Sequence, residues 1–260
     1  MSSAVVKSIS LYPIKSLDPL AVDAARVLSS GALEHDREFA LFDEQGNVIN
    51  GKREPSIHQV RARYDLDAFA VTLNESERFH LVSNRHEIED WLGTFLGRRV
   101  SMRRNVETGF PDDLDSPGPT VVGWETLREV GLWFGIADPA EAGRRFRANV
   151  VITTKVPFWE DRLFGESDET VEFRVGEVTI CGVNPCQRCA VPSHDPSTGG
   201  VTPEFQRTFA ERRAESLPSW APVSRFNHYY RLAVNTRIPA SEAGKVIRVG
   251  DAVELSGERK

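Results

Sequence analysis

Two of the three cysteines of the chain, Cys186 and Cys189, lie three positions apart in the segment NPCQRCAVPSHDPSTG (184–199). A thiolate is a strong nucleophile and a good ligand for soft metals, and a neighbouring cation such as Arg188 favours the deprotonated form. This pair is therefore the first candidate for a reactive site.

The residues alone leave four interpretations of the pair open. A structural zinc site needs four ligands, and Cys181 and His194 lie nearby, but this spacing is uncommon for zinc. Thioredoxin-like exchange expects a βαβ context, whereas the pair follows a predicted hairpin strand. Free cysteines are often simply small buried hydrophobes. The fourth interpretation is one thiolate bound to a soft metal, with Arg188 close by.

Composition narrows the class of protein. The 260 residues are 40% hydrophobic and carry a net charge of −6, from 32 basic and 38 acidic side chains. This is enough apolar material for a core, and the acidic balance argues against a general nucleic-acid binder. No apolar run reaches the length of a membrane-spanning helix, and the N-terminus has no signal-peptide core. Three cysteines do not make a disulfide framework, so we expect a cytoplasmic protein without a membrane anchor.

The elements that must position the cysteines begin with a strand-rich first part. Residues 4–82 contain short apolar runs rich in Val, Ile and Phe, separated by turn signals, which predicts a small sheet or part of a barrel. Apolar residues at helical spacing predict a helix over 85–97 that ends at Gly97. The polar, proline-bearing stretch 105–119 is typical of a domain boundary or a functional loop. We therefore predict two domains, 1–104 and 105–260.

The second part mixes strands with a few helices. Its predicted elements are a helix at 124–135, a strand at 146–154, a hairpin turning at Gly176 and Glu177, an exposed helix at 203–216 and a strand pair within 245–255. No βαβ alternation dominates, which disfavours a Rossmann-type parallel sheet. The expected fold class is α+β and strand-rich, with a few peripheral helices.

Five segments together resemble the MOSC family, the molybdenum-cofactor sulfurase C-terminal-like proteins, and are closest to its amidoxime-reducing branch. The resemblance runs from about residue 5 to about residue 257, in the family's order. It implies a MOSC-type β-barrel preceded by an N-terminal MOSC β-barrel-like segment. Besides the cysteine segment, the motifs are LYPIKSL (11–17), EHDREFALFDEQGNVI (34–49), RFRANVVI (145–152) and IRVGDAVEL (247–255).

The resemblance also implies a site. Cys189 matches the cysteine that ligates molybdenum and is the implied catalytic residue, while Cys186 matches a second family cysteine that is not itself the ligand. Arginine, lysine and hydroxyl groups suit the phosphate of a molybdopterin, and a thiolate suits a soft, redox-active metal. The implied molybdenum–molybdopterin cofactor has its other contacts at Lys15, Ser16, Arg37, Asp115, Ser116, Arg147, Asn149, Gln187 and Arg188.

Several of these residues, and three others, also have an ordinary structural role open to them. Arg37 and Arg147 are typical of exposed sheet surfaces, and Lys15 of a solvated loop. The other ordinary roles are a turn for Ser116, strand-edge pairing for Asn149, the core for Cys181, structural support for His35, and a turn or a proton donor for His194.

The activity implied by the resemblance is the two-electron reduction of N-hydroxylated, amidoxime-type small molecules. The chain has too few cysteines for an iron–sulfur cluster and no glycine-rich dinucleotide fingerprint after a strand. We therefore expect electrons from a separate ferredoxin-, flavodoxin- or cytochrome-type protein, for which a basic patch near 211–213 is one docking candidate. Two alternatives stay open: a cofactor or sulfur carrier that holds a persulfide on Cys189, and a barrel with an empty site.

Overall fold

The computed structural model describes residues 4–75, 77–167 and 169–256, so the outer ends of the predicted domains, 1–3 and 257–260, lie outside it. The described residues form fifteen strands and four α-helices. The strands are β1 (Ala4–Leu11), β2 (Leu20–Val22), β3 (Ala24–Arg26), β4 (Phe39–Phe42), β5 (Ala62–Asp65), β6 (Ala70–Leu73), β7 (Glu77–His80), β8 (Ser101–Arg104), β9 (Val121–Gly123), β10 (Val150–Thr153), β11 (Val171–Val175), β12 (Val178–Gln187), β13 (Arg231–Arg237), β14 (Val246–Arg248) and β15 (Ala252–Leu255). The helices are α1 (Arg85–Leu96), α2 (Trp124–Trp133), α3 (Pro139–Phe146) and α4 (Phe205–Glu215).

Seven of the described strands close into a mixed β-barrel. Their order is β1, β10, β9, β13, β12, β11 and β15, and β15 pairs again with β1. Neighbouring strands are antiparallel except β9 and β10, which run parallel. The prediction of a strand-rich α+β fold is confirmed. Because β1 precedes every other strand, the barrel draws on both predicted domains.

The barrel encloses an apolar core. Its strands bury alternate side chains, as β12 does with Val178 and Ile180, because successive residues of a strand face opposite sides. Cys181 alternates with these core residues along β12 and is only half-buried. The prediction that it lies in the core is therefore wrong. The hairpin of β11 and β12 turns at Gly176 (φ 57°), as predicted. Other buried members of the core are Ile9, Val150, Ile152, Phe173, Val234 and Val253.

Residues 39–104, which we call the N-terminal lobe, form a second and smaller core. Strands β4 and β8 pair, β5, β6 and β7 form a three-stranded meander, and α1 packs beside them. Helix α1 ends where Gly97 adopts φ 64°, a left-handed conformation that glycine tolerates without a Cβ penalty, and this end was predicted. The following stretch 105–119 has no helix or strand and runs back to the barrel.

The predicted strand at 146–154 is wrong in its first half. Strand β10 begins only at Val150; Phe146 is the last residue of helix α3, and residues 147–149 form a turn between the two elements. Asp138 caps this helix by accepting a hydrogen bond from the Ala140 amide (2.9 Å), and Pro139 occupies its first turn, where no amide donor is needed. The helix ends at Arg147, whose backbone is left-handed (φ 52°). Arg147 therefore lies at the end of α3, shortly before the barrel strand β10 begins.

Helix α4 lies over the predicted span 203–216, but it is not exposed all round. It buries Phe205, Phe209 and Arg213 against α2 and the 3₁₀ turn Trp159–Leu163. Arg213 is only 1% exposed and forms an ion pair with Asp161. Of the expected basic patch near 211–213, Arg213 is therefore buried, whereas Arg212 is exposed.

The predicted strand pair within 245–255 is also wrong as a pair. Strands β14 and β15 follow one another, but β14 pairs with β3 and β15 pairs with β1 and β11. Between them Asp251 accepts a hydrogen bond from the Arg248 amide (2.7 Å), and Gly250 adopts φ 94°. This turn transfers the chain from one sheet to another instead of folding it back on itself. Over the described residues, no helix is long and apolar enough to cross a membrane.

Candidate functional site

A pocket of about 780 Å³ lies between the N-terminal lobe and the strands β12 and β13. Its cationic side chains outnumber its carboxylates by seven to three, although the whole chain carries a net charge of −6. Such a concentration of one sign in a concavity favours an anionic ligand. The cations are Lys15, Arg37, Lys52, Arg147, Arg188, Arg225 and Arg231, and the carboxylates are Asp36, Asp112 and Asp113.

The two cysteines of the pocket wall have different surroundings. Cys189 is exposed, whereas Cys186 is half-buried with its Sγ 3.0 Å from Nη1 of Arg188. The same guanidinium donates to the carbonyl of Phe146 (2.5 Å), and the Arg188 amide donates to the carbonyl of Tyr230 (3.1 Å). Arg188 thus ties the cysteine segment to the end of α3 and holds Cys186, while Cys189 stays open to the pocket.

Two arginines of the pocket lie over the ring of the same tyrosine. The guanidinium carbons of Arg147 and Arg37 lie 4.1 and 5.0 Å from the ring centre of Tyr12. Tyr12 is buried, which raises the pKa of its hydroxyl, and its amide donates to Asp36 (2.9 Å). Arg37, Arg147 and the neighbouring Ser16 all have positive φ, at 53°, 52° and 76°. Non-glycine residues held in this region store backbone strain, a feature that concentrates at binding sites.

Arg37 and Arg147 differ in their partners. Arg37 forms an ion pair with Asp36 and donates to Oδ1 of Asn149 (3.3 Å). Across the described residues, the Arg147 guanidinium has neither a carboxylate nor a hydrogen-bond acceptor as a partner. Burial lowers the pKa of Arg147, and repulsion by Arg37 lowers it further. Arg147 is therefore a half-buried cation without a counter-ion among the described residues.

Asn149 and Lys15 are already engaged within the protein. The buried Asn149 donates through Nδ2 to the carbonyl of Ser10 (3.0 Å) and accepts from Arg37 and from Thr120. It therefore positions Arg37 and has little capacity left for a ligand. Lys15 donates to the carbonyl of Phe110 (2.8 Å) and pairs with Asp112 (2.6 Å). Desolvation, which alone would raise the pKa of Asp112, is outweighed by Lys15 and Arg37, so that the pKa lies below its ordinary value.

The loop 105–119 contributes one orphaned group to the pocket. The Ser116 hydroxyl is buried in the lining, and no described residue hydrogen-bonds to it. A buried polar atom without a partner is costly unless a ligand or water satisfies it. Asp115 does not line the pocket: it is exposed, and its backbone carbonyl accepts from Arg237. The carboxylates of this loop that face the pocket are Asp112 and Asp113 instead.

The structure gathers most of the residues implied by the resemblance around this one pocket. His35 lies elsewhere, paired with Glu38 (2.7 Å) in a structural role. His194 lines a small adjoining cavity and stacks on His58, with ring centres 5.5 Å apart. Among the described residues, no three His, Cys, Asp or Glu side chains converge as a metal-ligand group, which disfavours the structural zinc interpretation. The gathered residues are Lys15, Ser16, Arg37, Ser116, Arg147, Asn149, Gln187, Arg188 and Cys189.

Sequence reasoning missed several members of the lining. His58 is buried beside Gly51, and burial together with Arg147 and His194 lowers its pKa to about 4. A lone histidine in the segment PSIHQV carries no local signal of this role. Arg225 and Arg231 were missed for the same reason, since nothing in the sequence near them indicates a site.

Comparison with known proteins finds relatives over most of the chain. A MOSC N-terminal beta barrel domain matches residues 3–90, and a MOSC domain matches residues 128–254. The molybdenum cofactor sulfurase of Drosophila grimshawi is 24% identical over 86% of this chain and 32% of its own length. That of Solanum lycopersicum is 22% identical (97% and 36%), and that of Homo sapiens 24% identical (80% and 28%). The chain thus spans about a third of the length of these curated relatives.

One solved structure resembles this fold weakly. The YUAD protein from Bacillus subtilis aligns over 98% of this chain and 96% of its own, with 9% identity and a TM-score of 0.42. A similarity of this degree carries no functional argument.

Proposed function

Because this chain belongs to the MOSC family, with an N-terminal beta barrel domain and a MOSC domain related to molybdenum cofactor sulfurases, we propose that its pocket binds the molybdenum cofactor. We further propose that the bound cofactor serves to reduce N-hydroxylated compounds, with electrons delivered by a separate protein. When bound, the cofactor supplies a molybdenum centre that exchanges electrons.

The observation that carries the proposal is the unpaired guanidinium of Arg147. It is desolvated on the ring of Tyr12 and has no anionic partner among the described residues, in a pocket with four more cations than carboxylates. A phosphate placed there would gain charge-assisted hydrogen bonds without displacing an existing ion pair. The orphaned hydroxyl of Ser116 is a second unmet demand in the same lining.

The residues present fit the cofactor. The exposed thiol of Cys189 is free to ligate a soft metal, because Arg188 engages Cys186 instead. Arg147 and Arg37 would hold the phosphate, and Asn149 would keep Arg37 in place. The remaining contacts would come from Lys15, Ser16, Ser116, Gln187 and Arg188.

The proposed reaction needs protons and electrons as well as a site. Cleaving one N–O bond and releasing the oxygen as water consumes two electrons and two protons. The chain has three cysteines, too few for an iron–sulfur cluster of its own. A separate ferredoxin-, flavodoxin- or cytochrome-type donor is therefore part of the proposal.

A second candidate is a sulfur carrier that holds a persulfide on Cys189. The exposure of this thiol and the names of the relatives, molybdenum cofactor sulfurases, favour it. A carrier needs one accessible thiol, however, and gives no role to an unpaired Arg147 in the same pocket. The reductase is therefore the function that the whole pocket supports best.

The deciding experiment is anaerobic turnover by protein whose molybdenum content has been measured. With reduced viologen as an artificial donor, we expect benzamidoxime to be converted to benzamidine, and NADH or NADPH alone to give no product. Cys189→Ser should abolish the activity, because a hydroxyl is a harder and less acidic ligand than a thiol, whereas Cys186→Ser should reduce it much less. If molybdenum is present and no amidine forms, the reductase is wrong and the carrier takes first place. If both variants match the wild type, Cys189 is not the ligand.

A further inference from the structure

The pocket has a second wall that the cofactor assignment leaves unused. Asn184 and Asn235 face each other across β12 and β13, and Nδ2 of Asn235 donates to Oδ1 of Asn184 (3.1 Å). Asn235 also donates to Asp113 (3.4 Å). Arg225 and Arg231 line the same wall. We call Asn184, Arg225, Asn227, Arg231 and Asn235 the asparagine–arginine wall.

The two arginines of this wall lack counter-ions. Arg231 donates to the carbonyl of Pro185 (3.0 Å) and to Oδ1 of Asn227 (2.8 Å), and its Nε is buried without a partner. Arg225 donates to the carbonyl of Val183. Neither forms an ion pair with a carboxylate anywhere in the described chain. The wall therefore holds two positive charges beside neutral amides.

The chemistry of the lining restricts the substrate further. Among the described residues that line the pocket, Val191 is the only aliphatic side chain apart from prolines, and none is Phe, Tyr or Trp. Pockets for neutral aromatic or alkyl ligands are lined mainly by such side chains. A substrate with polar or charged groups of its own therefore gains additional contacts here.

From these observations we propose that the asparagine–arginine wall is a substrate subsite for a carboxylate, so that the molecule reduced at Cys189 carries a negative charge. The proposal rests on the function proposed above. The net charge of the wall indicates the class of anion. Arg225 and Arg231 carry two positive charges and the neighbouring Asp113 carries one negative charge, so one positive charge is in excess. This excess matches a monoanionic carboxylate better than a dianionic phosphate, and a guanidinium and amides both donate to planar carboxylate oxygens.

The test compares the binding of two probes that differ only in charge, 4-carboxybenzamidoxime and 4-carbamoylbenzamidoxime. Binding is measured by calorimetry without an electron donor, so it does not depend on turnover. We expect the wild-type protein to bind the acid at least about ten-fold more tightly than the amide, because the acid gains one charge-assisted hydrogen bond. Arg231→Gln should remove this preference because it deletes the positive charge. Asn227→Asp should also remove it, because the new carboxylate pairs with Arg231 while both side chains keep their hydrogen bond. Arg237→Gln, outside the pocket, is the matched control and should keep it.

Equal affinity for acid and amide in the wild type would overturn the subsite. So would a preference that survives in Arg231→Gln and Asn227→Asp but disappears in Arg147→Gln, since the anion would then sit on the cofactor side. Molybdenum content and benzamidine formation are measured on the same preparations. A preference for the acid in molybdenum-loaded protein that forms no benzamidine would leave the subsite standing and reject the reductase, and the reverse result would reject the subsite alone.

Discussion

Two regions of this protein that place arginine over an aromatic ring use it for opposite purposes. In the junction between α4 and Trp159–Leu163, Arg213 lies 4.0 Å from the ring centre of Phe158 and pairs with Asp161. In the pocket, Arg147 lies 4.1 Å from the ring centre of Tyr12 and pairs with no carboxylate of the described chain. A guanidinium that brings its own counter-ion holds the fold together, and one that lacks it has binding capacity left. The partner, more than the degree of burial, separates a structural arginine from a binding arginine.

The same two regions respond to pH in opposite directions. In the junction, burial and the neighbouring Asp161 raise the pKa of Glu160 to about 7. In the pocket, burial, Arg147 and His194 lower the pKa of His58 to about 4. Burial favours the protonated, uncharged carboxyl of Glu160 in the junction and the deprotonated, uncharged ring of His58 in the pocket. Both regions therefore avoid an additional buried charge.

The comparison predicts its largest effect at Arg213. Arg213→Ala leaves the Asp161 carboxylate buried without its partner, and breaking a buried pair in this way costs about 3–5 kcal/mol of unfolding free energy. Urea unfolding measures this loss, and Arg212→Ala, its exposed neighbour, is the control. A loss below about 1 kcal/mol, the range of surface ion pairs, would contradict a structural role for this pair.

The next effect is a pH dependence from Glu160. The folded-state pKa is raised above the unfolded value, so the protonated carboxyl stabilises the fold below pH 4.5, and this stability is lost as the pH rises through about 7. The loss is on the order of 3 kcal/mol, from 1.36 kcal/mol for each pH unit of the shift. Unfolding free energies of Glu160→Gln should lack this decline, whereas Glu211→Gln, an exposed control, should keep it. Identical profiles for wild type and Glu160→Gln would show that Glu160 is ionised in the fold.

Arg147 should show the reverse of the behaviour of Arg213. Arg147→Ala should lower the affinity for molybdopterin about ten- to a hundred-fold, or about 1.5–3 kcal/mol, as expected when a charge-assisted bond is lost. Because the cation has no partner to leave behind, the melting temperature of the cofactor-free protein should not fall. Cofactor occupancy is measured as bound molybdenum per chain, with Arg144→Ala on the exposed face of α3 as the control. Full occupancy at limiting cofactor would remove Arg147 from the site.

The last effect is expected at His58, on the acid side of the stability profile. The folded-state pKa is depressed, so neutral His58 contributes stability above pH 6.5 that is lost as the pH falls through about 4. His58→Gln should flatten the acid side of the stability profile, whereas His86→Gln, on an exposed ring of α1, should not. An unchanged acid limb in His58→Gln would mean that the ring is protonated in the fold.

Local signals account for what could be predicted from the sequence. The end of α1 at Gly97 and the turn of the β11–β12 hairpin at Gly176 depend on a few neighbouring residues, and both were predicted correctly. Helix α3 had a local signal in Asp138 and Pro139, but the apolar run that follows was extended backwards into it. Pairing between distant segments, such as β14 with β3, has no local signal, because its registers are set by the packing of the whole sheet.

The candidate site likewise contains residues with a local sequence signal and residues without one. The motif residues gather around one pocket, whereas Arg231 and His58 reach it from segments without any motif. Asp115 shows the limit of carrying positions over from a family. Within a loop that has no regular structure, Asp112 and Asp113 face the pocket and Asp115 faces solvent. Side-chain direction in such a loop follows from its contacts, which the order of its residues does not reveal.

The pairing of β1 with β15 constrains the folding of the chain during synthesis. Ala4 lies opposite Val253, so the first and last barrel strands meet only when almost the whole described chain is available. At about 5–20 residues per second, the ribosome makes these strands on the order of 10–50 s apart. Throughout that interval β1 carries a free edge that is able to pair with other strands. Closure of the barrel is therefore a late, high-contact-order step, and the nascent chain has to keep its first strand from aggregating until its last one emerges.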